Sequence, residues 1–255
     1  MSGNGTVSDC ATAREVAAAA GALLLEIRAG LARGADVDSI RREGDRQSHE
    51  LIVSLLAERY PDDAVVSEES PGGRKLGSAA RVWIVDPLDG TREFGELGRT
   101  DWAVHVALVD CGRLVAGAVA MPARSEVPFA SDSVTSPPAP AARPPRIVVS
   151  RTRPAAEAVV LAERLGGELV PMGSAGAKTM AVLSGEADLY VHSGGQHTWD
   201  SAAPVAVAVA AGLHASRIDG SPLDYGSDET WLPDLLICRQ DLRERVLAEL
   251  QAYPG

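Results

Sequence analysis

Cysteine is scarce in this chain, with three in 255 residues at Cys10, Cys111 and Cys238. They form no CxxC pair and suggest no disulfide framework, which favours a reducing compartment. The five histidines, His49, His105, His192, His197 and His214, show neither HxH nor HExxH spacing. Each therefore reads as structural or superficial, with His105 packed in the core of an apolar strand. Positive charge is also short: 24 Lys and Arg face 35 Asp and Glu, a net of -11. Proteins that grip nucleic acid through its phosphates are ordinarily basic, so a polymer partner is not expected. A small anionic substrate is still allowed, because bound cations can dominate a local field. Long apolar runs are absent too. Ala17 to Ile27 is Ala-rich, interrupted by Glu26, and too short to span a bilayer. The N-terminus has no basic region followed by an apolar run, so a cytoplasmic protein without membrane contact is expected. Aromatic residues are 4% of the chain, and the four tryptophans read as core and rim rather than a base-stacking platform.

What is present is a globular composition, 45% apolar, long enough for one large domain or two modest ones sharing a core. Apolar residues at helical spacing (Val16, Ala20, Leu23, Ile27, Leu31) predict a helix from Ser8, its N-cap, to Leu31. A second helix is expected from Gln47 to Arg59, before Tyr60-Pro61-Asp62-Asp63 breaks it. Ala64–Val66 and Val82–Val85 read as strands, and 103–109 and 114–121 as a hairpin turning at Asp110-Cys111-Gly112. Ser136 to Arg146 carries five prolines and marks a junction at 136–145 between an N-terminal α+β sub-domain, 1–135, and a C-terminal α/β sub-domain, 146–255. Beyond it, strands at 147–149, 168–170, 189–192 and 235–238 alternate with helices near 155–165, 175–183, 201–211 and 242–251. That alternation predicts a sheet covered by helices.

Acidic residues then claim the chemistry. Glu68 follows the apolar run Ala64-Val65-Val66, and Asp86 follows Val82-Trp83-Ile84-Val85, so both sit where a buried strand is expected to end. Asp200 precedes a small apolar helix and can cap it or point elsewhere. Two like charges about 4 Å apart repel by roughly 4 kcal/mol at an effective dielectric of 20, so converging carboxylates need cations between them. Oxygen ligands without Cys or His favour magnesium, manganese or calcium over zinc. The alternative for any single acid is a solvated group or a cap. A competing motif, Asp-x-Asp-Gly-Thr, marks haloacid-dehalogenase-type phosphatases with an aspartyl nucleophile. Here Pro87 stands two residues before Asp89 and the acids are three apart, so the covalent phosphoaspartate reading fails.

Glu68-Glu69, then Asp86-Pro87-Leu88-Asp89-Gly90-Thr91 with Phe94, then Trp199-Asp200-Ser201-Ala202-Ala203-Pro204, resemble the signatures of the inositol monophosphatase-like superfamily in order and spacing. The likeness extends through nearly the whole chain. It is greatest to the CysQ branch, the actinobacterial 3'-phosphoadenosine-5'-phosphate phosphatases. Arg92-Glu93-Phe94, Asp101-Trp102-Ala103-Val104-His105, Gly173 to Lys178 and Ser193-Gly194-Gly195-Gln196 add to it. The resemblance implies a layered αβαβα sandwich of the sugar-phosphatase type, in the α+β or α/β class, with two sub-domains.

It also implies roles. Glu68, Asp86 and the Leu88 carbonyl would hold one magnesium, and Asp86, Asp89 and Asp200 a second, with a third, weaker ion and manganese as a substitute. Two ions about 3.5–4 Å apart can activate water and clamp the oxygens of an in-line displacement. Asp45, in Glu43-Gly44-Asp45, and Thr91 would orient the attacking water. Gly90 and Thr91 would offer backbone donors to the phosphate, with Asp200 beside the substrate. Ser174 and Lys178 would contact a 5'-phosphate or sugar, or else serve only as an N-cap and a solvated cation. Ser150-Arg151-Thr152-Arg153 offers two cations for a second phosphate. Where many relatives carry a lysine before the first motif acid, this chain reads Ser39-Ile40-Arg41-Arg42-Glu43, and Arg41 or Arg42 is the expected electrostatic stand-in.

The expected activity is therefore magnesium-dependent removal of the 3'-phosphate from 3'-phosphoadenosine 5'-phosphate or its sulfated form, within sulfur assimilation and with lithium inhibition. Inositol monophosphate and fructose 1,6-bisphosphate are the alternative substrates. A catalytically silent module that binds metal and phosphorylated ligand is the reading from another class. A homodimer is compatible with each.

Overall fold

The computed structural model describes residues 3–70, 80–125, 127–140 and 143–253, with side chains from Asp9 onward. Two long helices open the chain, α1 (Gly3–Ala32) and α2 (Val37–Arg59). The first begins ahead of the expected Ser8, whose side chain lies outside the described residues. The second begins ten residues ahead of expectation, because Asp36 caps it: its Oδ2 accepts the Ser39 amide at 2.8 Å. That extension carries Glu43-Gly44-Asp45 onto a helix.

A five-stranded sheet follows in the order β1-β2-β3-β4-β5, with β1 (Ala64–Ser67), β2 (Arg81–Asp89), β3 (Ala103–Asp110), β4 (Arg113–Ala120) and β5 (Phe129–Ala130). Only β1 and β2 run parallel. A one-turn helix, α3 (Thr91–Phe94), follows β2. The hairpin between β3 and β4 turns at Cys111 and Gly112, both at positive φ, as a two-residue turn between twisted strands requires. The second sheet has the order β7-β6-β8-β10-β9, from β6 (Arg146–Ser150), β7 (Glu168–Met172), β8 (Leu189–His197), β9 (His214–Ser216) and β10 (Trp231–Cys238). Its helices are α4 (Ala156–Leu165), α5 (Ala175–Leu183), α6 (Thr198–Ala210) and α7 (Arg243–Gln251). The short strands β5 and β9 carry no alternation long enough to betray them in the sequence.

Three apolar clusters stack these elements into layers. The outer face of the first sheet, with Trp83, Val85 and Val104, packs on Val16, Ala20 and Leu24 of α1 and Ile52 and Leu56 of α2. Its inner face, with Val82, Ile84 and Ala107, meets Met180 of α5, Ala203 of α6, and Val148 and Tyr190 of the second sheet. The far face of that sheet is covered by Leu161 of α4 and Val246 of α7. The result is an αβαβα sandwich, as the resemblance implied. Helices α5 and α6 form the middle layer. Ala141 and Ala142 of the proline-rich stretch lie outside the described residues. No helix among the described residues is long and apolar enough to cross a membrane.

Candidate active site

Side chains alternate along a strand, so two acids three residues apart should face opposite ways. Strand β2 continues through the acidic motif, correcting the expectation that Asp86 marks its end. Its register against β3 slips inside that motif: Asp86 pairs with His105, and Asp89 with Ala103. Three steps on β2 thus oppose two on β3, which is a bulge. Pro87 sits in it, where a residue without an amide hydrogen costs the ladder nothing. The extra residue turns Asp86 and Asp89 to the same inner face. Both are buried, and the Leu88 amide donates to Asp86 Oδ1 at 3.0 Å.

Gly90 then turns the chain at φ 88°, a conformation that favours glycine, and delivers Thr91 to the start of α3. The Thr91 hydroxyl has one proton and two acceptors, Asp45 Oδ1 at 3.2 Å and the Leu88 carbonyl at 3.1 Å. Burial, reinforced by the charge of Glu69, pushes Asp45 up to about 6 against the lowering effect of the Thr91 hydrogen bond. Helix α6 brings the third carboxylate. His197, not Asp200, is its N-cap. Asp200 occupies the third helical position, where its Oδ2 accepts the His197 amide at 2.6 Å.

Asp86, Asp89 and Asp200 each turn a carboxylate oxygen to one point, all within 4.8 Å of one another. Burial, then the neighbouring Asp89, Glu68 and Asp200, drive Asp86 far above the usual carboxylate range. Burial and Asp89 lift Asp200 to about 6. Glu68 lies just past β1, an exposed residue outside that triad. Its carboxyl is nonetheless desolvated beside Asp200, Asp89 and Asp45, and is pushed up to about 7. Four mutually repelling acids with oxygen-only donors fit a hard divalent cation, and neither thiolate nor imidazole joins the triad.

Asp89 differs from its neighbours. Its Oδ2 accepts the Ser174 hydroxyl at 2.5 Å and the Gly176 amide at 2.8 Å. His105 Nε2 lies 3.2 Å away, close enough for an ion pair though not aligned as a hydrogen bond. Burial pushes Asp89 up, but His105, Lys178 and Ser174 outweigh it and hold the group at about 2. It is therefore the acid of the cluster that gives up its proton most readily. His105, expected to be simple core, is a polar partner of the site instead. The signal was a histidine set among apolar residues on the strand face that Asp89 shares.

Several expected cations are engaged elsewhere. Ser174 caps α5, accepting the Ala177 amide at 3.0 Å while donating to Asp89, and it holds φ 47° to do both. Lys178 is buried rather than solvated. Its Nζ donates to the Gly173 carbonyl at 3.3 Å and sits 5.2 Å over the Tyr190 ring. Arg41 is not an outer cation of the acidic cluster. It donates to the Thr91 carbonyl at 3.2 Å and the Arg92 carbonyl at 3.0 Å, holding the turn after the motif. Arg28 does the same for the carbonyls of Phe94, Glu96 and Arg99. Arg151 is spent on Glu93, at 2.5 Å, and on Glu96.

Comparison with known proteins agrees with this geometry. Residues 8–254 match the inositol monophosphatase family. The chain is 47% identical to the 3'-phosphoadenosine 5'-phosphate phosphatase of Mycobacterium leprae, covering 96% of this chain and 94% of that one. It is 34% identical to the 3'(2'),5'-bisphosphate nucleotidase CysQ of Escherichia coli, over 74% of this chain and 80% of the relative. Among solved structures, CysQ from Bacteroides thetaiotaomicron superposes with a TM-score of 0.74 at 26% identity, covering 91% and 97% of the two chains. The staphylococcal inositol monophosphatase IMPase-II shares the fold, with a TM-score of 0.76 at 19% identity over 93% and 91%. With its acids gathered on one face of a sandwich built as in these relatives, the chain belongs to the inositol monophosphatase family.

Proposed function

We propose that the protein is a magnesium-dependent phosphatase that removes the 3'-phosphate of 3'-phosphoadenosine 5'-phosphate, giving AMP and phosphate. Its sulfated analogue would give adenosine 5'-phosphosulfate, and the reaction would serve sulfur assimilation in the cytoplasm. The observation that carries this reading is the oxygen-only triad Asp86, Asp89 and Asp200 in a chain 47% identical to a phosphatase of that name. In this reading Asp86, Asp89 and Asp200 hold one magnesium, and Glu68, Asp86 and the Leu88 carbonyl hold another. Magnesium, when bound, supplies Lewis acidity for the phosphate and for the water that attacks it. Thr91 and Asp45 orient that water and take its proton; an acid near 6 is well matched to the task. The amides of Gly90 and Thr91 bind the phosphate beside Asp200. Ser174 acts through Asp89, and Lys178 acts on the ligand through its charge. Residues 1–135 and 146–255 serve as the two sub-domains, meeting across the middle helices. The free thiols of all three cysteines suit a reducing compartment.

Phosphate release measured over 3'-phosphoadenosine 5'-phosphate, inositol 1-phosphate and fructose 1,6-bisphosphate tests the proposal. The bisphosphate nucleotide should have the highest kcat/KM. A wide margin in favour of inositol 1-phosphate would overturn the substrate assignment and leave the chemistry standing.

A further inference from the structure

His105 lies wholly inside the protein on β3, between two elements that must each deliver an acid to the same point. Its Nδ1 is 3.0 Å from the Trp199 carbonyl, one residue before Asp200. Its Nε2 is 3.2 Å from Asp89 Oδ2. A carbonyl only accepts, so Nδ1 donates to Trp199, while Nε2 is a buried nitrogen facing the Asp89 carboxylate without an aligned hydrogen bond. The space around it is shaped to match. A Cβ on Gly176 would lie 2.2 Å from Nε2, and the same Gly176 donates its amide to Asp89.

We infer that His105 is a positioning residue that joins Asp89 on β2 to the first turn of α6 and so sets the span across which Asp89 and Asp200 share a cation. The inference rests on the metal role proposed for those two acids. Asp89 Oδ2 accepts from Ser174 and Gly176 and faces His105, and among the described residues no hydrogen bond to Oδ1 competes with a cation. Outer partners of this kind orient ligands, and their loss ordinarily costs roughly ten- to a hundred-fold in metal affinity. A protonated ring would argue the other way, because deleting a positive group beside four acids should tighten cation binding. The two effects have opposite signs, so the experiment separates them.

The test is Mn²⁺ binding to metal-free protein, followed by the spin-resonance signal of the free ion, alongside kcat at saturating metal. His105→Phe removes both contacts and should weaken Mn²⁺ by about ten-fold or more, with kcat at saturation changing less than affinity. His105→Gln, whose amide reaches toward Asp89, and His105→Asn, whose amide reaches toward the Trp199 carbonyl, should fall between. If the phenylalanine variant does not fold, the two amides carry the test through their thermal transitions and Mn²⁺ titrations. Folded amide variants that bind Mn²⁺ as tightly as the parent, or more tightly, would overturn the inference. A parent protein that fails to bind Mn²⁺ would instead overturn the metal reading beneath it.

Discussion

Replacing Asp86 by Asn should make the metal-free protein more stable while destroying its response to metal. The ligating oxygens of Asp86, Asp89 and Asp200 lie within 4.8 Å of one another. At that separation and an effective dielectric of 20, each ionised pair repels by about 3.5 kcal/mol. Burial and the neighbouring acids favour the protonated form of Asp86, and that raised proton affinity costs stability as pH rises above the range where an unfolded aspartate titrates. Asn has the same shape, keeps an oxygen for the Leu88 amide, and removes the cost. A gain of about 1–3 kcal/mol follows, or about 3–10 °C in Tm for a chain of this size. Asp89→Asn should do the reverse. It strips the carboxylate from beside two buried side chains that favour its charged form, His105 and Lys178, and should cost about 3–5 kcal/mol. Urea and thermal unfolding in chelator, repeated with saturating magnesium, give both quantities. The reasoning fails if Asp86→Asn lowers stability in chelator, or if the two variants shift in the same direction.

Three further outcomes follow from the same geometry. Thr91→Val and Asp45→Asn should each lower kcat between about 10²- and 10⁴-fold with much smaller changes in KM, measured by phosphate release at saturating magnesium. Asp45, Glu68 and Asp200 hold protons in the folded state to about 6, 7 and 6, well above the carboxylates of an unfolded chain. Their contribution is thus fully present at acid pH and lost as pH rises, so Tm in chelator should fall between about pH 4 and 7, and magnesium, by displacing those protons, should abolish the fall. Gly176→Ala drives a methyl group into His105 and should cost about 1–3 kcal/mol by thermal unfolding, with metal affinity falling alongside.

The main strands and helices were legible from their residues: Leu114–Met121 is an unbroken apolar run, and Val16, Ala20, Leu23 and Ile27 recur as a helix demands. Asp36 gave away little, since a cap is decided by backbone geometry around it, and so α2 was read ten residues short. The acids of the motif were legible as a set, but not the bulge that lets Asp86 and Asp89 face the same way. Pro87 is compatible with a strand end or with a bulge, and only the partner strand decides between them. Histidine spacing was silent about His105, because its partners lie 16 residues before it on Asp89 and 94 after it on Trp199. Positive charge misled for a related reason. Arg41 and Arg151 look like anion binders in one dimension, yet each is consumed by carbonyls or carboxylates that the fold brings alongside.

The most direct measurement is phosphate release from 3'-phosphoadenosine 5'-phosphate by metal-free protein titrated with magnesium. No release in chelator, then a saturating rise with magnesium to yield AMP and phosphate, is the predicted result. Equal release in chelator, or none at any magnesium concentration from a folded protein, would contradict the account.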